Sequence, residues 1–351
     1  GNLGSFAMGS EDWDNALQYF KRSLKFQPDF AEIHNNLGKT LKELARMKEA
    51  EESYIQAIIL RPDFIEAYSN LGVTLQELER LEEAEASFRQ ALALNPDHTS
   101  AHNHLLTCLY VLDKRSPFFD ELDYLINRDE VNSVVGSLTS RSALKYRIEK
   151  PNLFCKEPLR YVSHIDLGAE YNFEEVFVEG AKSILNDERV SNRKQPLLVN
   201  GYQTSGNLFD IENDSTEEIQ RIIRLEIEKY RAKFTNSEEG LIKKWPTEYN
   251  LFGWLISMKS GGELRPHIHS RGWLSGSVYI NVPLKSGVNS GNLVVSMGEE
   301  KDATDTRINE KKIIDVVTGN LVLFPASLTH HTIPFESEEE RIVLAFDVAP
   351  K

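Results

Sequence analysis

The chain has 351 residues, 40% apolar and 27% charged, with a formal net charge of −14. That length admits two domains, and that composition belongs to a globular protein. The acidic balance argues against a general nucleic-acid binder and against anionic membranes as partners, and no run approaches the roughly 18 apolar residues of a membrane span. Two cysteines, Cys108 and Cys155, make no disulfide framework, so a reducing compartment and a cytoplasmic location are expected.

The first 112 residues repeat every 34. Asn36-Leu37-Gly38 recurs as Asn70-Leu71-Gly72, and Pro28-Asp29 recurs as Pro62-Asp63 and Pro96-Asp97. Ala16, Ala50 and Ala84 hold one position; Phe20, Tyr54 and Phe88 hold another. This pattern resembles the tetratricopeptide repeat, a helix–turn–helix unit of that length. The alanine lets paired helices approach, the aromatic fills the space between units, and Pro-Asp starts the next one. Helices are expected over about 12–25, 31–44, 47–60, 65–78, 81–94 and 99–112. Asn2-Leu3-Gly4 keeps the same register. The chain therefore starts part-way through a repeat, and further repeats are expected ahead of it.

Asn2, Asn36 and Asn70 share one position on the first helix of each unit, with His104 in the last. A carboxamide both donates and accepts, so stacked units could line up asparagines that grip a peptide backbone. The repeats resemble those of the O-linked N-acetylglucosamine transferase, where such a ladder holds protein substrate. The competing expectation is that each asparagine caps or bridges helices within a repeat.

The period is lost after 113–117, which divides the chain into repeats at 1–115 and a second domain at 116–351. Residues 120–150 read as mostly helical, 159–165 as a strand, and 174–186 and 215–233 as amphipathic helices. From 249 the pattern turns to short strands punctuated by Gly and Asn: 250–258, 263–269, 273–282, 292–297, 311–317, 320–325, 329–334 and 341–348. Many short strands without intervening helices predict a sandwich or barrel.

On a strand, His267 and His269 would point the same way, which suits two ligands of one ion. His330 follows Phe324-Pro325, and Arg341 lies eleven residues later before an apolar run. Imidazole suits Fe(II), Zn(II) and Cu(II) alike, and a reactive site leaves coordination positions open. A buried arginine needs an acidic partner, either an anionic ligand or one of Glu338–Glu340.

Residues of about 195–349 resemble the Fe(II)/2-oxoglutarate oxygenases, which are built on a double-stranded β-helix. Their signature is His-x-Asp/Glu, a second His after some tens of residues, then an Arg roughly ten further on. His267-Ile268-His269, His330 and Arg341 fill those places, and Ser275-Gly276-Ser277-Val278-Tyr279 and Gln203-Thr204-Ser205-Gly206-Asn207-Leu208-Phe209 match one group of these enzymes. The resemblance implies Fe(II), 2-oxoglutarate and O2. It implies His267, His269 and His330 as metal ligands, and Arg341 with Tyr279 on the co-substrate carboxylate. Gln203, Thr204, Trp254 and Trp273 are candidate substrate-pocket residues.

His269 departs from the rule, which wants a carboxylate there. Three sets are open: three histidines, His267 and His330 with water, or the two with Glu263; the three-histidine set is preferred. The aspartate/asparagine β-hydroxylase of this superfamily also lacks that carboxylate and also carries repeats ahead of its oxygenase domain. His164-Ile165-Asp166 matches His-x-Asp literally, yet no Ser-Gly-Tyr strand follows it. It reads as an ordinary strand with Asp166 at its solvent end. The expected whole is an α-solenoid followed by a jelly roll with flanking helices, hydroxylating a protein or peptide side chain recruited by the repeats. The alternatives are a small-molecule hydroxylase whose repeats serve assembly and a non-catalytic cupin-like adaptor. Neither nucleic acid nor membrane is an expected partner.

Overall fold

The computed structural model describes residue 5 and residues 12–298 and 311–351. Asn2-Leu3-Gly4 lies outside the described residues. Two compact units appear, Gly1–Leu125 and Ile126–Lys351.

The described chain opens with eight consecutive helices: α1 (Trp13–Phe26), α2 (Ala31–Glu43), α3 (Met47–Leu60), α4 (Ile65–Glu77), α5 (Leu81–Leu94), α6 (Thr99–Val111), α7 (Arg115–Asn127) and α8 (Ser133–Tyr146). The first six fall where the 34-residue register places them. Ala16, Ala50 and Ala84, with Phe20, Tyr54 and Phe88, are fully buried. The aromatic reaches the next unit as expected, Phe88 stacking on His104 with ring centroids 5.2 Å apart, and it also seats on its own unit's glycine. A Cβ on Gly38 would lie 2.6 Å from the Tyr54 ring, and one on Gly72 would lie 2.6 Å from Phe88. The Asn-Leu-Gly motif therefore exists for this close ring-on-backbone packing. The turn inside each unit places Ala45, Glu79 and Asp113 at φ 57°, 60° and 55°. These are left-handed C-terminal caps recurring at the same period.

Among the described residues the second unit has ten strands: β1 (Ser163–Asp166), β2 (Asn192–Arg193), β3 (Leu198–Thr204), β4 (Tyr249–Leu264), β5 (Leu274–Asn281), β6 (Leu293–Ser296), β7 (Lys311–Ile314), β8 (Asn320–Pro325), β9 (Thr329–Thr332) and β10 (Arg341–Pro350). Seven form one antiparallel sheet in the order β1-β8-β5-β10-β4-β3-β2, and three form another, β7-β6-β9. This is the two-sheet jelly roll of a double-stranded β-helix.

Strand alternation gives the large sheet two different faces. Leu274, Val278, Leu321, Leu344 and Phe346 pack against a long helix, α9 (Asp214–Lys233), through Ile219, Ile222, Ile223 and Ile227. Each such buried aliphatic side chain contributes roughly 1.5–3 kcal/mol. α9 starts at a capping box made by Asn213 and Thr216. The intervening residues of β5 and β10, Tyr279 and Val343, turn instead toward the small sheet and pack with Val295 and Phe324. The functional side chains lie on this inner face.

The expected strand at 263–269 is not continuous. β4 ends at Leu264, before Pro266, which has no N–H to offer a ladder. His267 then makes an isolated antiparallel bridge with His330, and His269 lies in the loop that follows.

Candidate metal centre

Three imidazoles meet at the inner face. The ring nitrogens of His267, His269 and His330 that could bind an ion all lie within 4.8 Å of one another. Each histidine arrives by a different route. His330 sits on β9 opposite Val295 of β6. His267 is bound to it through paired backbone hydrogen bonds, N to O 3.2 Å and O to N 3.0 Å, which bring the two ring centroids to 4.2 Å. His269 is fixed at its carbonyl, which accepts from the Gly272 amide at 3.0 Å and from Ser133 Oγ at 3.2 Å.

The outward ring nitrogens decide what the inward ones can do. His267 Nδ1 donates to the Arg265 carbonyl at 2.8 Å, and His269 Nδ1 donates to Asp347 Oδ1 at 2.5 Å. His330 Nδ1 faces the Leu328 carbonyl at 3.4 Å. With the Nδ1 protons held outside, each Nε2 keeps its lone pair toward the common point. His267 and His269 Nε2 are 3.1 Å apart.

Burial and the neighbouring imidazoles push His267 down to about 4 and His330 well below the usual histidine range. Burial also opposes charge on His269, yet the Asp347 carboxylate, through its charge and its hydrogen bond, raises it. Asp347 Oδ1 also accepts from Ser275 Oγ at 2.7 Å. The carboxylate that the His-x-Asp/Glu rule wants on the metal is thus present one step behind His269, on β10. Glu263 turns away, toward Arg265 Nε at 3.7 Å. His164 pairs with Asn320 Oδ1 at 2.7 Å on β1, and Asp166 accepts from the Gly168 amide at the strand's end.

The histidines open on a cavity of about 310 Å³. Arg341 forms part of its wall and is 1% exposed. Its Nη1 donates to the Gly291 carbonyl, and its guanidinium carbon lies 5.2 Å from the Tyr279 ring centroid. Burial lowers the Arg341 pKa and pushes the Tyr279 hydroxyl up to about 12. Among the described residues no carboxylate pairs with Arg341, and its Nε has no partner. Glu340 instead accepts from Ser257 Oγ at 2.8 Å. A buried cation in a cavity wall, with no carboxylate partner and one orphaned donor, can receive an anionic ligand.

The other candidates divide. Gln203 and Trp254 line the cavity. Trp273 does not: its Nε1 donates to the Leu241 carbonyl at 2.8 Å and its ring packs on Phe154 in the helix-side core. Thr204 is also internal, its Oγ1 accepting from the Leu255 amide at 3.1 Å. Asn207, in the same motif, accepts from the amides of Phe209 and Gly253 and donates to the Leu251 carbonyl. Most of that motif therefore ties its loop to β4. In the repeats, Asn70 Nδ2 donates to Asn35 Oδ1 at 2.9 Å, a bridge between neighbouring units. Asn36 is half-buried.

The jelly roll brings together three convergent imidazoles that could hold a metal ion and a buried arginine. Comparison with known families agrees: residues 253–347 match the family described as "Putative 2OG-Fe(II) oxygenase", and residues 31–64 and 65–98 each match the tetratricopeptide repeat. The chain thus carries tetratricopeptide repeats and an oxygenase-family domain. Similar curated proteins include Protein O-mannosyl-transferase TMTC3 of Homo sapiens, 43% identical over 56 residues, and its Drosophila melanogaster counterpart at 36%. These matches cover 16% of this chain and only 6% of the relatives' length. Similar solved structures include "Crystal structure of MamA" (21% identity, TM-score 0.38, 41% of this chain and 84% of that one). The "Arabidopsis OM64 TPR domain" is another (26%, 0.30, 30% and 88%).

Proposed function

We propose that the chain is an Fe(II)/2-oxoglutarate-dependent oxygenase that hydroxylates a protein or peptide side chain presented by its repeats. The observation that carries this reading is the pairing of three inward Nε2 atoms with a buried, carboxylate-free arginine in one cavity. The donor set fits the group. Imidazoles without thiolates suit a borderline divalent ion such as Fe(II), and three ligands on one side leave coordination positions open. His267, His269 and His330 would hold the ion, and Arg341 would hold the distal carboxylate of 2-oxoglutarate in bidentate fashion, with Tyr279 beside it. Iron and co-substrate together supply O2 activation and C–H oxidation, with succinate and CO2 as co-products.

The chain's own residues do the rest. Asp347 keeps the His269 Nδ1 proton outward and lends negative charge to the ligand set, standing in for a missing anionic ligand. Arg341 orients the co-substrate from a water-poor pocket, where its charge acts with little screening. Phe324 and Val343 form apolar wall between the metal point and the sheet core, which limits water at the reacting centre.

The repeats support a macromolecular substrate because stacked helical units present extended binding surfaces. Asn36 and Asn70 are the residues proposed to contact it, although Asn70 must release or share its bond to Asn35 to do so. The test is succinate formation from 2-oxoglutarate with Fe(II), with and without a cell-derived peptide pool, followed by mass spectrometry. The reading expects peptide-stimulated succinate and a +16 product. Succinate stimulated by metabolite extract but not by peptides would overturn the protein-substrate part; no succinate at all would overturn the oxygenase part.

A further inference from the structure

Building on the oxygenase reading, we propose that the substrate carries a carboxylate and that Arg193 is the residue that receives it. The first observation is the sign of the cavity. Among the described residues its wall carries two arginines and four histidines, and neither Asp nor Glu lines it. The chain as a whole has 54 acids against 40 Lys and Arg. A cavity of one sign, in a protein of the other, concentrates anions.

The second observation is that one cation in it has no assigned task. Arg341 is deep and suits the co-substrate. Arg193 lies on the edge strand β2, directly opposite Gln203 of β3 in the antiparallel register. Residues so paired share a face. Gln203 is 6% exposed, and with its carboxamide oxygen turned to Arg193 it accepts from Nε at 3.1 Å and Nη2 at 3.0 Å. That contact fixes one edge of the guanidinium and leaves Nη1 and the outer Nη2 hydrogen as a second fork. Among the described residues no carboxylate pairs with it. A planar fork with one free edge matches a carboxylate bidentately.

Charge counting agrees. A divalent ion, Arg341 and Arg193 set against Asp347 and a dianionic co-substrate leave one positive charge over. A substrate carboxylate balances it. Arg193 would then anchor the substrate from the strand edge while the metal point lies further along the same cavity.

The source of the carboxylate, an Asp or Glu side chain or a free peptide C-terminus, is separated by the choice of probes. N-acetylaspartic acid α-amide, N-acetylglutamic acid α-amide, N-acetylalanine and the neutral N-acetylglutamine α-amide are titrated into protein loaded with Mn(II) and 2-oxoglutarate. Paramagnetic relaxation of probe protons reports binding near the metal. Saturation-transfer NMR on the metal-free protein reports binding without it. At least one acidic probe is expected to bind tenfold or more tighter than the neutral amide. Arg193→Gln should remove that preference, Arg193→Lys should keep part of it, and the half-saturating concentration of 2-oxoglutarate should stay within twofold in both. Equal binding of neutral and acidic probes, or no change in Arg193→Gln, overturns the proposal; so does a change confined to 2-oxoglutarate. Failure of Mn(II) or 2-oxoglutarate to bind, with Arg193-dependent acid binding retained in the metal-free protein, sinks the oxygenase reading instead.

Discussion

Replacing Asp347 with asparagine isolates its charge from its geometry. The wild-type carboxylate accepts from His269 Nδ1 at 2.5 Å and from Ser275 Oγ at 2.7 Å with the same oxygen, Oδ1. An asparagine side-chain oxygen can accept both bonds, so the His269 tautomer and ring orientation survive. What goes is the negative charge that raises His269 and strengthens its Nε2 as a donor to metal. Partners of this kind are worth roughly 10- to 100-fold in metal affinity. That corresponds to about 1.4–2.8 kcal/mol. Asp347→Ala should cost more, because it leaves a buried imidazole N–H without an acceptor, at about 1–3 kcal/mol. The assay is Mn(II) or Zn(II) titration by calorimetry at fixed pH, with circular dichroism to check that each variant is folded. Equal metal affinity in wild type and Asp347→Asn would refute the idea that the missing ligand carboxylate has been moved one step outward.

Arg341→Gln should raise the half-saturating concentration of 2-oxoglutarate at least 30-fold, as loss of one partner of a buried charge pair costs about 2–5 kcal/mol. Mn(II) affinity measured without co-substrate should change less than twofold. In the repeats, Gly72→Ala drives a Cβ to within 2.6 Å of the Phe88 ring. Overpacking of this sort should lower stability by about 1–3 kcal/mol in urea denaturation. Ala45→Gly should act in the opposite sense by up to about 1 kcal/mol, because residue 45 sits at φ 57°. In metal-free protein, His267 and His330 are held below their unfolded values. The unfolded chain therefore binds more protons between roughly pH 6.5 and 4, and stability falls as pH drops through that window. His269, held above its unfolded value, acts outside that window: its contribution is present below about pH 6.5 and is lost as pH rises through its folded value. His267→Gln should make the fall in thermal midpoint over that range shallower than in wild type. An identical slope would remove His267 from the account.

The helical array was readable because every unit repeats the same packing problem: a small residue facing a ring recurs at 34. The role of Gly38 and Gly72 was not, since seating Tyr54 and Phe88 within the unit requires knowing how far apart the helices lie. His267, His269, His330 and Arg341 could be singled out by spacing, although the strand invoked to align the first two ends at Leu264. A bridge to His330 and a bond to Asp347 align them instead. Asp347 was missed because its partner lies 78 residues away in sequence. A signal existed: Arg341, Val343, Ala345 and Asp347 keep a two-residue period, and Asp347 is an acid inside an apolar strand. Arg193 gave none, lying on a two-residue edge strand with no alternating pattern. Trp273 was misplaced because an aromatic beside a ligand histidine in sequence can face the opposite side of the sheet.

The most direct test is the stoichiometry of Mn(II) binding, read by electron paramagnetic resonance in the presence of 2-oxoglutarate, for wild type and for His267→Ala, His269→Ala and His330→Ala. One tight equivalent per chain, lost or severely weakened in all three folded variants, is the predicted result. Full-strength binding in the folded His269→Ala variant, or no tight equivalent in wild type, would contradict a three-imidazole centre.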